Sequence, residues 1–228
     1  MSIKPKPVTD NNLKVLRFSL IEDLTTSENN DEYVIEGYAL KFDSSTKIGN
    51  YFIESIARGA VNDEALDDVL FFVNHDSNKI TLARSRRNNQ NSTLQLKIDD
   101  IGLHFRAVLD VKNNPEAATL YSAVKRGDVD GMSFWMKVQN DEWSDLNTDM
   151  PKRKITKISK IFEISAVNWP AYESTEITAR SKDGTLDNDK MALDNAKAGT
   201  LDNVSKLELR KKQILFNMKN QNQGGNKS

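Results

Sequence analysis

Few side chains in this sequence could act as the base of a hydrolytic reaction, because it contains two histidines and no cysteine. His75 follows the apolar segment 69–73, which is typical of a buried strand, and so stands where a strand gives way to a loop. Catalytic groups are often placed at such positions. His104 alternates with Leu103 and Phe105, so we expect it to face solvent. We take His75 as the candidate general base, with a structural strand end as the alternative.

Ser133 is the serine best placed to act as a nucleophile. It opens the apolar segment 132–138, and the loop before it carries Gly127 and Gly131. Glycine lets the backbone of a substrate come close. The alternative is a polar residue packed among apolar neighbours. Trp135 stands where the G-x-S-x-G elbow requires glycine, which argues against an α/β-hydrolase.

Glu163 is a carboxylate within an apolar segment, residues 160–167, that is typical of a strand. Burying a carboxylate costs several kcal/mol unless it is paired. It could orient His75, or it could form a structural ion pair with Arg84 or Arg86. The residues alone leave these alternatives open.

The composition excludes several classes of function. The formal charge of −1 lacks the basic excess of a nucleic-acid-binding protein. Without cysteine there is no disulfide and no thiol nucleophile, and two separated histidines predict no metal site. No apolar segment is long enough to span a membrane, and none follows the basic N-terminus as in a secretory signal. We therefore expect a cytoplasmic protein that uses no cofactor and binds neither nucleic acid nor membrane.

The sequence divides near Arg180, since every aromatic residue except Phe216 precedes that point. We interpret residues 1–180 as a folded domain and residues 181–228 as a tail that buries little apolar surface by itself. In the tail, residues 181–199 favour a flexible connector. The spacing of apolar residues from Leu201 onward predicts an amphipathic helix, with a solvated linker as the alternative.

The folded domain is expected to be mainly β with helices. Alternating or continuous apolar patterns predict strands. The predicted strands cover residues 14–21, 33–42, 69–73, 94–98, 103–109, 132–138 and 154–167. Residues 99–102 supply turn chemistry between two of them. Asn114 and Pro115 predict the start of a helix that ends at Gly127, and a shorter helix is expected over residues 62–67.

Six segments in this order resemble the prohead proteases of tailed bacteriophages, which are relatives of the herpesvirus assemblins. The core of the resemblance covers residues 33–180, and its segments are Glu36–Ala39 with Phe42, Ile56–Ala60, Phe72–Asp76, Gly102–Phe105, Lys125–Phe134 and Phe162–Ser165 with Val167, Pro170 and Ala171. Arg58 and Ala83 replace the family's usual proline and glycine. Trp135 replaces a small residue and could reshape the pocket.

The resemblance implies a β-barrel surrounded by helices and a Ser-His-Glu triad made of Ser133, His75 and Glu163. It further implies a serine endopeptidase that cleaves scaffold segments of the phage major capsid protein, and itself, during prohead maturation. Such a protein would self-associate and act inside the assembling procapsid in the cytoplasm of the infected host. The tail could then be removed by self-cleavage. The alternative from another class is a non-catalytic capsid-assembly protein with a protease-like fold.

Overall fold

The computed structural model describes residues 14–20, 24–29, 32–168 and 185–223. These residues form eleven strands, two α-helices and two short 3₁₀ helices. The strands are β1 (Lys14–Leu20), β2 (Thr25–Asn29), β3 (Glu32–Lys41), β4 (Thr46–Ile48), β5 (Phe52–Ile56), β6 (Leu70–Val73), β7 (Ala83–Arg84), β8 (Leu94–Ile98), β9 (Gly102–Leu109), β10 (Gly131–Ser144) and β11 (Lys152–Val167). The α-helices are α1 (Pro115–Arg126) and α2 (Thr185–Gln223), and the 3₁₀ helices are Asp63–Leu66 and Arg86–Asn88.

The strand β11 organises the larger of two sheets. It pairs with β10 in antiparallel orientation, and on its other edge it pairs in parallel with β5 near its start and with β6 near its end. The sheet is extended by β1 beside β10, by β4 beside β5 and by β7 beside β6. A strand of 16 residues can serve two shorter neighbours on one edge because each covers only a few residues.

The second sheet has the order β2-β3-β9-β8 and packs on the first through apolar side chains. The rings of Phe71, on β6, and Phe105, on β9, lie 5.7 Å apart and are both fully buried. The turn before β9 forms as its sequence predicts, since Asp99 Oδ1 accepts hydrogen bonds from the amides of Ile101 and Gly102. The core therefore lies between the two sheets.

The helix α1 closes one side of this core and has the predicted ends. The side chain of Asn114 accepts a hydrogen bond from the amide of Glu116, Pro115 occupies the first helical position, and Gly127 ends the helix with a φ of 78°. Its buried Tyr121 packs edge-on against Tyr33 of β3 at 5.3 Å.

A mainly β fold with few helices is thus confirmed. Neither sheet closes on itself within the described residues, so the barrel expected from the resemblance stays a prediction. The short strands β2, β4, β5 and β7 are not predicted by the sequence. β4 and β7 have only three and two residues, β2 contains no apolar residue, and in β5 the buried Glu54 breaks the apolar alternation. Within the described residues, no helix is both long and apolar enough to cross a bilayer.

The helix α2 begins at Thr185, within the segment expected as a connector. Its first turns are packed on the larger sheet: Asp189, Ala192 and Leu193 are buried, and Leu193 joins a cluster with Ile48 and Phe52. The sequence predicts a helix only from Leu201, yet the contacts of α2 with the sheet come earlier in the chain. The division at residue 180 stays a prediction, and residues 181–184 and 224–228 of the predicted tail lie outside the described ranges.

Candidate active site

The loop after β6 turns His75 back over the sheet. Asn74 and His75 both have left-handed backbone conformations, with φ of 50° and 59°. Such conformations cost roughly 1–3 kcal/mol each for residues other than glycine, and they occur in tight turns as well as at functional sites. The turn is fixed by two hydrogen bonds: the amide of Asn74 donates to the carbonyl of Ala166, and the Asn74 side chain accepts from the amide of Asn168.

The pairing of β10 with β11 assembles the rest of the site. Ser133 stands opposite Ser165, and Trp135 stands opposite Glu163. Side chains two residues apart on a strand share a face, so Ser133 and Glu163 lie on the same side of the sheet. Because β6 runs parallel to the end of β11, its last residue, Val73, stands beside Ala166. The loop that carries His75 therefore starts beside the end of β11, and its left-handed turn brings the His75 ring back to Glu163 and Ser133.

His75 joins the other two candidate residues through its two ring nitrogens. Its Nε2 lies 2.6 Å from Ser133 Oγ, and its Nδ1 makes a short hydrogen bond with Glu163 Oε1. If the imidazole is neutral with its proton on Nδ1, Nε2 presents a lone pair to the serine hydroxyl. This arrangement can take a proton from a serine and stabilise the imidazolium that results.

Burial makes these contacts electrostatically strong. Glu163 is 4% exposed and Ser133 has no exposed surface, while 15% of the His75 side chain is accessible. Charges interact more strongly in such surroundings than in water. Arg84, one of the alternative partners of Glu163, pairs instead with Asp68 through two hydrogen bonds of 2.5 and 2.6 Å.

His104 lies elsewhere in the fold. It is on β9 in the smaller sheet, with its half-buried ring edge-on to Tyr38 at 5.3 Å. In the described part of the chain, no cluster of three or more histidine or acidic side chains could hold a metal ion.

Two contacts of the site were not expected from the sequence. Ser133 Oγ also donates a hydrogen bond to the backbone carbonyl of Arg17, on β1, at 2.9 Å. Ser165, directly across from the nucleophile candidate, is fully buried and its hydroxyl has no hydrogen-bond partner among the described residues. The sequence does not single out Ser165 because it lies within the apolar segment 160–167, where a serine is typical of a residue packed in a strand.

A cleft of about 430 Å³ opens beside the His75 loop, between this loop and α1. Its lining is mostly apolar, with charged groups from Asp76 and from Glu116, which pairs with Lys79. Ile80, on the loop side of the cleft, is 83% exposed. The cleft is large enough to accept side chains of a peptide next to the candidate base.

The chain matches a known protein family. A model of the caudovirus prohead serine proteases matches residues 22–190, which is well over half of the chain. The chain belongs to this family. Its members are phage proteases of capsid maturation, so the resemblance seen in the sequence is confirmed at the level of the family. The matched range contains His75, Ser133 and Glu163 and begins only after β1.

Individual members of the prohead protease family are distant from this chain. The prohead protease of Enterobacteria phage HK97 is 28% identical over 174 residues, covering 75% of this chain and 71% of the HK97 protein. Among solved structures, the capsid assembly protease of bacteriophage T4 aligns with 69% of this chain and 99% of its own length. That alignment has 14% identity and a TM-score of 0.42.

The unpaired hydroxyl of Ser165 yields a stability prediction for this protein. Ser165→Ala should leave the melting temperature unchanged or raise it, because it removes a buried polar group that lacks a hydrogen bond. Ser85 is a matched control: it is equally buried, but its Oγ accepts a hydrogen bond from the amide of Val69 at 2.8 Å. Ser85→Ala should cost about 1–3 kcal/mol, since it leaves that amide unsatisfied. Thermal unfolding of both variants tests these two expectations. Equal losses of stability in Ser165→Ala and Ser85→Ala would contradict the prediction.

Proposed function

We propose that this chain is a serine endopeptidase that cleaves scaffold segments of the phage major capsid protein, and itself, during prohead maturation. One observation carries the proposal: His75 contacts Ser133 through one ring nitrogen and buried Glu163 through the other. The family supplies the protease class, and this contact supplies the residues. Ser133 is the nucleophile, His75 the general base and Glu163 the group that orients the base.

The proposed reaction follows from these contacts. His75 Nε2 takes the proton of Ser133 as Oγ attacks the substrate carbonyl, and the resulting imidazolium is stabilised by the carboxylate of Glu163. His75 then gives this proton to the departing amine, which leaves an acyl-enzyme on Ser133. Water, activated by the same imidazole, hydrolyses the ester and restores the serine hydroxyl.

Ser165 supplies a hydrogen bond for the negative charge that develops in the tetrahedral intermediate. Residues directly opposite each other in antiparallel strands have Cβ atoms roughly 4.5–5.5 Å apart, so the Ser165 side chain lies beside that of Ser133 on the same face of the sheet. A donor that has no partner in the resting protein can form its hydrogen bond when charge appears, which lowers the barrier.

The name of the HK97 relative supports the rest of the proposal. A protease named for the prohead supports a substrate among the proteins of the phage shell and a site of action inside the assembling procapsid. Self-association and removal of the tail from residue 181 by self-cleavage belong to the same proposal. A non-catalytic assembly protein is the second candidate, because Ser133 has no exposed surface. Labelling by a serine-reactive phosphonate discriminates between the two.

Replacing the nucleophile should stop processing. When the chain is co-expressed with its capsid protein, Ser133→Ala should remain full length and leave the capsid protein uncut, because loss of a triad member lowers rates by several orders of magnitude. His75→Ala should behave in the same way, whereas His104→Ala, far from the triad, should process normally. Intact-mass spectrometry of the products measures processing by all three variants. Wild-type trimming by Ser133→Ala would refute the assignment.

Glu163→Gln should keep the fold and lower turnover by about 10²–10⁴-fold, because an amide cannot stabilise the imidazolium as a carboxylate does. Asp68→Asn removes a carboxylate from the Arg84 pair, outside the site, and should leave turnover unchanged. Turnover and melting temperature are measured on the same samples. A Glu163→Gln variant that melts earlier but keeps the specific activity of its folded fraction would show a purely structural carboxylate.

The role of Ser165 is separable from its stability effect. Ser165→Ala should lower kcat by about 10–10³-fold with little change in KM, as expected for a group that acts mainly in the transition state. Since the same variant is expected to be at least as stable as the wild type, unfolding cannot account for such a loss. Full activity in Ser165→Ala would assign the charge stabilisation to other groups.

A further inference from the structure

The proposed nucleophile is covered by a strand of its own chain. Ser133 has no exposed surface, and β1 lies along β10 with Phe18 opposite Ser133. The carbonyl of Arg17 accepts a hydrogen bond from Ser133 Oγ at 2.9 Å. A serine hydroxyl has a single hydrogen, so it cannot donate to this carbonyl and to His75 Nε2 at the same time. The contact with β1 therefore competes with activation of the serine by its base.

The position of β1 is also the position that an extended peptide would take. Among the described strands, β1 is at the edge of the larger sheet, and its partner is β10, which carries Ser133. Proteins commonly bind extended peptides by adding them as a strand to the edge of a sheet. An edge strand can leave without breaking other strand pairs. If β1 leaves, the edge of β10 beside Ser133 becomes available.

We propose that β1 occupies the substrate's place in a resting form of the enzyme, and that α2 holds it there through Asp189. This inference rests on the proposed protease function of Ser133. It adds that the substrate must displace β1 and that the first turns of α2 oppose this displacement.

The hold on β1 is a buried ion-pair cluster. The guanidinium of Arg17 is paired on one side with Glu54 of β5, through two hydrogen bonds. On the other side it is paired with both carboxylate oxygens of Asp189, at 2.8 and 3.2 Å. Burial alone would lower the pKa of Arg17, but the charges and hydrogen bonds of Asp189 and Glu54 raise it above its ordinary value. Arg17 is therefore charged at any physiological pH.

A second contact joins α2 directly to the backbone of β1. Asn188 Nδ2 donates a hydrogen bond to the carbonyl of Lys14 at 3.1 Å. The helix is itself seated by Ala192 and Leu193, which are buried, and Leu193 packs with Phe52 of β5. Because β1 and α2 are both packed on the sheet, β1 can move only if the ion pair of Arg17 with Asp189 breaks or α2 moves with it.

The charge balance of the cluster allows Asp189 to be tested without losing the fold. Arg153 is the second guanidinium, paired with Glu54, Asp189 and Asp141. With Asp189 the cluster has three carboxylates and two guanidinium groups. Without Asp189 it has two carboxylates and two guanidinium groups. Asp189→Asn therefore leaves each arginine with a carboxylate, whereas removal of an arginine would leave buried carboxylates unpaired.

The same geometry connects the tail to control of the site. A cut anywhere between Asn168 and Thr185 makes α2 a separate chain, held on the sheet only by non-covalent contacts. Its effective concentration at the sheet then falls from that of a tethered segment to that of a free peptide. Self-cleavage in this interval would release Asp189 from Arg17 and so ease the departure of β1.

The experiment compares full-length Asp189→Asn with wild type and with Asp187→Asn, a matched change at an exposed position of the same helix. A fluorophosphonate probe measures the labelling rate of Ser133, and hydrogen exchange measures the opening of β1. Asp189→Asn should accelerate both by about tenfold or more, because a buried charge pair is lost, and Asp187→Asn should match the wild type. Asn188→Ala removes an exposed hydrogen bond and is expected to fold normally. It should accelerate labelling of Ser133 and exchange of β1 as well, but by a smaller factor than Asp189→Asn.

Each failure has its own signature. Unchanged exchange of β1 in folded Asp189→Asn, or in Asn188→Ala if the former does not fold, overturns the role of α2. Faster exchange of β1 with an unchanged labelling rate overturns the idea that β1 covers the nucleophile. If Ser133 is labelled in no variant while β1 exchange responds as expected, the proposed protease function fails and the contact between α2 and β1 stands.

Discussion

The candidate site depends on the register in which β11 pairs with its two neighbours. β10 brings Ser133 to one edge of β11, and the parallel strand β6 delivers the His75 loop to the other. Side chains alternate between the faces of a sheet, so a shift of one residue would move Glu163 to the face away from Ser133. The register changes between Trp135 and Met136, directly after the paired residues of the site. Such irregularities are common beside active sites, where they end regular pairing and aim a side chain.

The second constraint is the cost of burying Glu163. A carboxylate with 4% exposure needs a partner, and the structure gives it an imidazole rather than an arginine. An arginine would have fixed a permanent charge pair, whereas an imidazole can gain and lose a proton beside the carboxylate. The left-handed backbone at Asn74 and His75 costs free energy, and the hydrogen bonds of Asn74 to the end of β11 offset it. The loop is thus held in a shape that it would not adopt alone.

The sequence predicted those helix ends and turns that depend only on residues close together in the chain. The ends of α1 follow from Asn114, Pro115 and Gly127, and the turn before β9 follows from Asp99. The three site residues could be named because each breaks the pattern of its segment and because the segments resemble a family. Which partner Glu163 takes could not be read from the residues, because it depends on the pairing of β6 with β11. The contact of Arg17 with Asp189 joins positions 172 residues apart, and no local pattern signals such a pair.

The two faces of β1 explain how a helix on one side of the sheet can influence the proposed nucleophile on the other. Arg17 stands opposite Phe134 and Phe18 stands opposite Ser133, so the Arg17 side chain leaves the sheet on the face away from the Ser133 side chain. Its carbonyl lies in the plane of the sheet and reaches Ser133 Oγ, while its guanidinium reaches Asp189. One residue thereby links the charge cluster to the hydroxyl of Ser133 through its own backbone. Loss of the charge pair need not distort the proposed triad, because His75 and Glu163 are held by β6 and β11. What changes is the strength with which β1 stays on β10, so the same chain can hold the three proposed residues in contact and still keep Ser133 covered.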